Sequence, residues 1–192
     1  MLIIDDRCVE FESRLERKAI LVVRARTDTL KVVEQSPRVE FVDGDGVLRE
    51  HVFDLLVTAS HRKIAIDVKP AAKVKSSGIR DLHRIIAPQM PPGIADELLV
   101  MTEKKFKRAD LYNAELIHAA FRQNYPKDDE AVLRLIGRMK GPASIADLVA
   151  RSKLHGYGFN AIVRAIGSGR LRMVGRKMID YDALVAPADG ER

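Results

Sequence analysis

Two segments typical of β-strands, on either side of a short turn, constrain the fold of this sequence most strongly. Residues 51–57 read HVFDLLV and residues 63–69 read KIAIDVK. A turn at residues 59–62 pairs Thr58 with Lys63, so that Asp54 lies directly opposite Asp67 in an antiparallel pair. Because side chains alternate along a strand, Lys69 is expected on the same face as Asp67. The hairpin therefore gathers two acids and a lysine.

The opposite face of this hairpin supports the same register. It carries an apolar stripe, which is predicted to pack against the core and consists of Phe53, Leu55, Val57, Ile64, Ile66 and Val68. The turn length and the apolar pattern thus agree on one pairing of the two strands.

The paired acids favour a metal site. Opposed carboxylates repel each other, and a divalent cation relieves that repulsion. Mg²⁺ and Mn²⁺ prefer oxygen ligands, and such an ion activates water and neutralises charge on a phosphoryl group. We therefore interpret Asp54 and Asp67 as metal ligands and Lys69 as a residue that stabilises the phosphoryl group. The alternative is a surface salt bridge between Lys69 and one aspartate.

A third acid is available in a predicted helix at residues 10–25. Glu12 and Glu16 lie four residues apart and ahead of the hairpin, so either could complete a three-acid site. The alternative for each glutamate is an exposed ion pair with a neighbouring basic residue.

The C-terminal third is strongly basic. Residues 134–177 contain ten lysines and arginines but a single acid, Asp147, a bias that favours a surface facing phosphates. Four basic residues of a predicted hairpin are candidate contacts to DNA or to a partner protein: Arg170, Arg172, Arg176 and Lys177.

The order of elements predicts two domains. Residues 1–125 are expected to form an α/β domain, with strands at 38–43, 48–58, 63–69 and 97–102 and helices at 76–86 and 109–123. A polar linker is predicted at residues 124–129. Residues 126–192 are expected to form a winged helix, with helices at 129–140, 144–153 and 157–166 and then strands at 170–174 and 178–184.

Composition excludes several other classes. The sequence has no apolar run long enough to span a bilayer, and its start does not resemble a signal peptide. The single cysteine, Cys8, excludes an internal disulfide and fits a cytoplasmic protein. The five histidines show no metal-ligand spacing, and we interpret them as surface or core residues: His51, His61, His83, His118 and His155.

Five short motifs resemble the N-terminal domain of TnsA-type transposon endonucleases, which belong to the PD-(D/E)xK nucleases. In order they are SRLE from Ser13, EQSP from Glu34, DLLV from Asp54, DVKPAA from Asp67 and VMTEK from Val100. The resemblance implies a restriction-endonuclease-like mixed sheet flanked by helices. It also implies that Glu16, Asp54 and Lys69 are catalytic, and that Asp67 is a second metal-site position. Phe53 replaces the proline of the family's name.

The function implied by this resemblance is cleavage of one DNA strand at each transposon end. In that family the endonuclease acts with a DDE transposase subunit and an AAA+ regulator, uses Mg²⁺ or Mn²⁺, and carries a C-terminal winged-helix-like domain. Glu16 is preferred to Glu12 because it follows Ser-x-Leu. Two alternatives stay open: a stand-alone nuclease of phage, plasmid or defence systems, and a non-catalytic adaptor that binds DNA or protein.

Overall fold

The computed structural model describes residues 2–4, 7–9, 11–123 and 125–188 of the chain. It has mixed α/β architecture and divides into two compact units. The first unit consists of Met1–Arg24 and Asp28–Phe106, and the second of Ala25–Thr27 and Lys107–Arg192.

The first unit contains a mixed four-stranded sheet. Its strands and helices are β1 (Leu2–Ile4), β2 (Arg7–Val9), α1 (Arg14–Arg24), β3 (Thr29–Glu34), β4 (Arg38–Val42), β5 (Leu48–Val52), β6 (Leu55–Ala59), β7 (Lys63–Val68), α2 (Ile79–Ile86) and β8 (Glu97–Met101). The sheet has the order β3-β6-β7-β8, and β7 pairs in parallel with β8. β1 pairs with β2, and β4 pairs with β5.

The predicted register of the central hairpin is confirmed. Thr58 pairs with Lys63 and Leu55 pairs with Ile66 in the antiparallel ladder of β6 and β7. The predicted continuous strand at 48–58 is wrong, because the chain bends at Phe53 and Asp54. Upstream of the bend β5 pairs with β4, and downstream of it β6 pairs with β3 and β7. Strand β3 was not predicted from the sequence.

The two faces of β7 are both buried. Leu55 and Ile66, directly paired, are each 1% exposed. On the other face Phe53 packs in a cluster with Ala65 and with Ile86 of α2. The prediction that Phe53 shares the stripe of Leu55 is therefore wrong. The bend between β5 and β6 turns its ring to the side of the sheet covered by α2.

Helix α1 begins later than predicted. Ser13 precedes its first residue, and the Ser13 hydroxyl accepts a hydrogen bond from the Glu16 backbone N–H at 3.1 Å. A serine that accepts from the backbone N–H three residues on is a typical helix N-cap. Glu12 therefore lies outside the helix and does not share a helix face with Glu16.

The second unit contains four helices and a small antiparallel sheet. Its elements are α3 (Arg108–Phe121), α4 (Pro126–Ile136), β9 (Ala143–Ser144), α5 (Ile145–Ser152), α6 (Tyr157–Gly167), β10 (Leu171–Met173) and β11 (Leu184–Pro187), with the sheet order β10-β11-β9. The three predicted helices are present with shifted ends. Ser144 is the N-cap of α5, as predicted, and accepts from the Asp147 N–H at 3.1 Å.

The second strand of the predicted hairpin is displaced. It was expected at 178–184, but β11 begins at Leu184. Two features hold the preceding residues in a loop. The side-chain oxygen of Asn113 accepts a hydrogen bond from the Ile179 N–H at 2.8 Å, and the Asp180 carboxylate accepts one from the Asp182 N–H at 3.1 Å. These bonds use backbone groups that a strand would need.

The division into units differs from the predicted boundary at residue 125. Helix α3 belongs to the second unit because Ile117 and Ala120 share a core cluster with Val132 and Ile162. Part of the predicted linker, residues 126–129, forms the first turn of α4, while Asn124 lies outside the described residues.

None of the helices in the described part of the chain is long and apolar enough to cross a membrane.

Candidate functional site

The Asp54 carboxylate lies at the bend between β5 and β6. Its Oδ2 accepts a hydrogen bond from the Val68 N–H at 2.6 Å, and its backbone carbonyl accepts one from the Gln35 N–H at 2.8 Å. The Nζ of Lys69 lies 3.9 Å from the same Oδ2. The structure thus brings Asp54 to the end of β7, beside the lysine with which the sequence groups it.

The charge of Asp54 is disfavoured by its surroundings. Burial raises the pKa of the Asp54 carboxyl, and the negative charges of Asp67 and Glu16 raise it further. The Val68 N–H and the Lys69 ammonium act in the opposite direction but do not restore the ordinary value. The charges of Asp67 and Glu16 therefore oppose ionisation of the Asp54 carboxyl, although its burial does so more strongly.

The Asp67 carboxylate is buried, with 1% exposure, and meets two imidazole rings. The Nε2 of His51 lies 2.9 Å from Asp67 Oδ2, and the Nε2 of His83 lies 2.7 Å from the same oxygen. Burial acts to raise the pKa of Asp67, but the hydrogen bonds and charges of the two histidines outweigh it. The pKa consequently lies below its ordinary value.

Phe53 supports both imidazoles from one side. Its ring centroid lies 4.7 Å from that of His51 in an edge-to-face arrangement and 5.5 Å from that of His83. This is the residue that stands where the name of the resembled family has proline. In this chain its fully buried ring fixes the position of two nitrogen donors.

Glu16 already makes the contacts of a helix cap. Its Oε1 accepts from the Ser13 hydroxyl and its Oε2 accepts from the Glu12 N–H, each at 2.8 Å. With the Ser13 hydroxyl bound to the Glu16 N–H, these contacts form a variant of the capping box in which Glu16 binds the Glu12 N–H in place of the Ser13 N–H. The Glu16 charge still acts on Asp54, and each carboxylate oxygen retains a second lone pair.

A group of donors that could hold a metal ion consists of His51, Asp67 and His83. Their ligand atoms lie within 4.8 Å of one another, and the three residues come from β5, β7 and α2. This group was not identified from the sequence, because His51 and His83 were interpreted as surface or core residues. The sequence offered one signal, since His51 lies two residues before Phe53 in the segment that is predicted to be one strand. No pattern in the sequence places His83 of α2 against β7.

A basic groove begins where β7 and β8 end. Ala71 and Thr102 line it, and its walls carry four basic side chains, Lys75, Arg80, Arg84 and Lys104, together with Asp81. Arg84 pairs with Asp81 at 2.5 Å. The groove therefore carries an excess of positive charge. It starts at Ala71, two residues beyond Lys69.

The basic residues of the second unit differ in their contacts. Arg170, Arg172, Arg176 and Lys177 are all exposed. Arg176 makes an ion pair with Asp110 of α3 at 3.2 Å. Arg164, one of the ten basic residues counted in the sequence, is buried and is bound to Asp129. The expectation of a phosphate-facing role does not extend to Arg164, because its guanidinium is enclosed.

Comparison with known protein families found no matching family model, and comparison with curated protein sequences found no match. The resemblance to TnsA-type endonucleases therefore rests on the five motifs in the sequence.

Proposed function

We propose that this chain is a divalent-metal-dependent DNA endonuclease, a phosphodiester hydrolase of the PD-(D/E)xK type. The observation that carries the proposal is the meeting of the half-buried Asp54 carboxylate with the Lys69 ammonium at 3.9 Å, where the charges of Asp67 and Glu16 also act on Asp54. An acid whose pKa is raised by burial, and further by neighbouring acids, is typical of functional sites. A strand pair gains no stability from such an arrangement.

Asp54 and Asp67 would hold the Mg²⁺ or Mn²⁺ ion, with Glu16 as the third acid. When bound, such an ion supplies a water of lowered pKa and positive charge for the phosphoryl oxygens. The hydrogen bond from the Val68 N–H to Oδ2 holds the Asp54 carboxylate in place. The backbone of β7 therefore also sets the position of the other carboxylate oxygen, Oδ1. Lys69, partly exposed, can donate to a non-bridging phosphate oxygen or to the attacking water.

The basic groove supports a nucleic acid as the substrate. Its lysines and arginines can contact phosphates on either side of the one that is cleaved, because the groove starts at Ala71 and Thr102, just beyond Lys69. Contacts of this kind position a duplex without reading its sequence.

We further propose that the first unit has a restriction-endonuclease-like fold and that the second contains a winged helix. The order α4, β9, α5, α6, β10, β11 with one small antiparallel sheet supports the second assignment. Arg170, Arg172, Arg176 and Lys177 then contact DNA or a partner protein. The five motifs support a place in a cytoplasmic heteromeric transposase with a DDE subunit and an AAA+ regulator.

A second candidate function is a non-catalytic adaptor on a nuclease scaffold. The observation that favours it is the capping box, in which both carboxylate oxygens of Glu16 already accept hydrogen bonds. If capping is the only role of Glu16, the site has two acids in place of three.

Plasmid cleavage separates the two functions. Supercoiled DNA is incubated with Mg²⁺ or Mn²⁺ and the wild-type chain, alone and together with the products of its neighbouring genes. Asp54→Asn should remove cleavage and leave DNA or partner binding intact, because it alters a metal ligand and no phosphate contact. The matched control is Asp45→Asn, an exposed acid of the β4–β5 turn, which should cleave normally. The adaptor is the correct assignment if Asp54→Asn cleaves the plasmid as well as the wild type does. It is also correct if no combination of the chain with the products of its neighbouring genes cleaves the plasmid.

A further inference from the structure

The Asp67 carboxylate is the meeting point of two histidines that sequence reasoning left without a role. Asp67 Oδ2 lies 2.9 Å from His51 Nε2 and 2.7 Å from His83 Nε2. The three side chains are fixed by different elements, and the Phe53 ring packs on both imidazoles. The side chains of His51 and His83 are 17% and 10% exposed, so their geometry is set by packing.

We propose that His51, Asp67 and His83 bind a first-row transition-metal dication through His51 Nε2, Asp67 Oδ2 and His83 Nε2. Two imidazole nitrogens and one carboxylate oxygen suit Mn²⁺, Fe²⁺, Co²⁺ or Zn²⁺, whereas Mg²⁺ prefers oxygen donors. This donor set therefore selects a softer cation than an all-carboxylate site would.

The separations between the donors agree with this assignment. Metal–nitrogen and metal–oxygen bonds of about 2.0–2.2 Å place two ligands at right angles about 3 Å apart. The separations of 2.9 Å and 2.7 Å from Asp67 Oδ2 are close to that value, and the three donor atoms all lie within 4.8 Å of one another. Three protein ligands on one side also leave positions for water or substrate, as in catalytic metal sites.

The proposed metal site shares Asp67 with the group of acids around Asp54. Asp67 is near enough to raise the pKa of Asp54, yet its Oδ2 faces the two imidazoles. The ion would therefore be held chiefly by the histidine side of Asp67. The use of the ion in cleavage rests on the proposed nuclease function, whereas its binding does not.

Titration of the full-length chain with Co²⁺ tests the binding. The wild type should bind one Co²⁺ per chain and show the visible absorption of a nitrogen-ligated ion, and excess Mg²⁺ should not displace it. Proton NMR should show two exchangeable, strongly shifted imidazole N–H signals, because ligation through Nε2 leaves the Nδ1–H of each ring in place. Absence of these signals in the wild type would overturn the proposal, whatever the variants do.

Three variants locate the ion. His51→Gln, at a partly exposed ring, and the double variant His51→Gln/His83→Gln should weaken Co²⁺ binding by more than about tenfold. His61→Gln, at an exposed histidine of the β6–β7 turn, should bind normally. Asp54→Asn should lose cleavage but weaken Co²⁺ binding much less than the histidine variants do, because the two imidazoles and Asp67 hold the ion chiefly. Unchanged binding by the histidine variants, or a loss in His61→Gln or Asp54→Asn equal to theirs, would overturn the site. Co²⁺ binding without DNA cleavage by the wild type would instead contradict only the nuclease function.

Discussion

Asp67 in the first unit and Arg164 in the second are both charged and buried, with exposures of 1% and 5%, but their surroundings differ. Arg164 donates through Nε to Asp129 at 2.8 Å and through Nη1 to the carbonyls of Ala120 and Gln123. Asp67 meets two histidine nitrogens that can bind either a proton or a metal ion. A buried charge matched by a fixed opposite charge and carbonyls stabilises a fold. A buried charge that meets two histidines able to hold a metal ion marks a candidate site.

The same comparison separates two kinds of signal in the sequence. The density of basic residues at 134–177 drew attention to the second unit, yet one of those residues ties helices together and Arg176 pairs with Asp110. The pairing of two strands, by contrast, correctly predicted the Thr58–Lys63 register, and Asp54 lies beside Lys69 in the structure. Position within the fold therefore indicated the candidate site better than local charge did.

The largest effect is expected from replacing Arg164, the buried charge that stabilises the second unit. Arg164→Met should lower the free energy of unfolding of the second unit by about 3–5 kcal/mol, because Asp129 stays partly buried without its partner. Urea unfolding followed by tyrosine fluorescence measures this. All four tyrosines lie in the second unit, and the chain has no tryptophan. Arg134→Met, which breaks an exposed 3.7 Å pair with Glu130, is the control and should change stability little. Similar values for both variants would contradict a structural role for Arg164.

The second-largest effect is expected from replacing Lys69 in the candidate site. Lys69→Ala should slow DNA cleavage by about 100–1000-fold, the cost of one donor to a transition-state oxygen. It should leave metal affinity and thermal stability unchanged, because an ammonium is no ligand and Lys69 is partly exposed. Single-turnover cleavage rates and Mn²⁺ titration measure the two quantities, with the exposed Lys105→Ala as control. A Lys69→Ala variant that loses stability but keeps its cleavage rate would make Lys69 structural, like Arg164.

A smaller effect divides the two roles of Glu16. Ser13→Ala removes the N-cap of α1 and should cost about 1 kcal/mol of stability. Glu16→Gln keeps one acceptor oxygen for the capping contacts and should lower the thermal midpoint less than Ser13→Ala does, yet it should lose cleavage if Glu16 is the third acid. Normal cleavage by Glu16→Gln would restrict this residue to its capping role.

The smallest effect concerns the exposed arginines of the second unit. Arg172→Ala should reduce the salt dependence of DNA binding by about one unit of slope, as expected for one lost phosphate contact. Arg176→Ala should reduce it less, because the Arg176 guanidinium already pairs with Asp110. Binding isotherms at several salt concentrations measure both. Equal slopes for the wild type and Arg172→Ala would exclude Arg172 from the DNA contact.

The parts of the fold that local rules govern were predictable. Turn length and the apolar stripe gave the Thr58–Lys63 register, and Ser144 was identified as an N-cap from its side chain. The break at Phe53 was not predictable, because residues 48–58 favour one strand and only pairing with two different partners divides them. β11 was misplaced for a related reason, since Asn113 lies 66 residues before the Ile179 N–H that it binds.

The candidate site was predictable in its carboxylates but not in its imidazoles. His51 and His83 each lie 16 residues from Asp67, in opposite directions along the chain. Their meeting depends on how α2 packs over β7 and how the chain bends after β5. Neither event has a signature in residue spacing. The place of α3 in the second unit has no signature in residue spacing either, because it depends on contacts with the core cluster and with Arg164.

The most direct test of a metal centre at Asp67 is anomalous X-ray scattering from crystals of the chain grown with Mn²⁺. We expect an anomalous peak within about 2.0–2.6 Å of Asp67 Oδ2, bounded by His51 and His83 and lying on the side of the sheet that carries Phe53. We expect no peak at Asp129, whose carboxylate is bound by Arg164. Fully occupied Mn²⁺ elsewhere in the chain, with none at Asp67, would exclude a metal centre at Asp67.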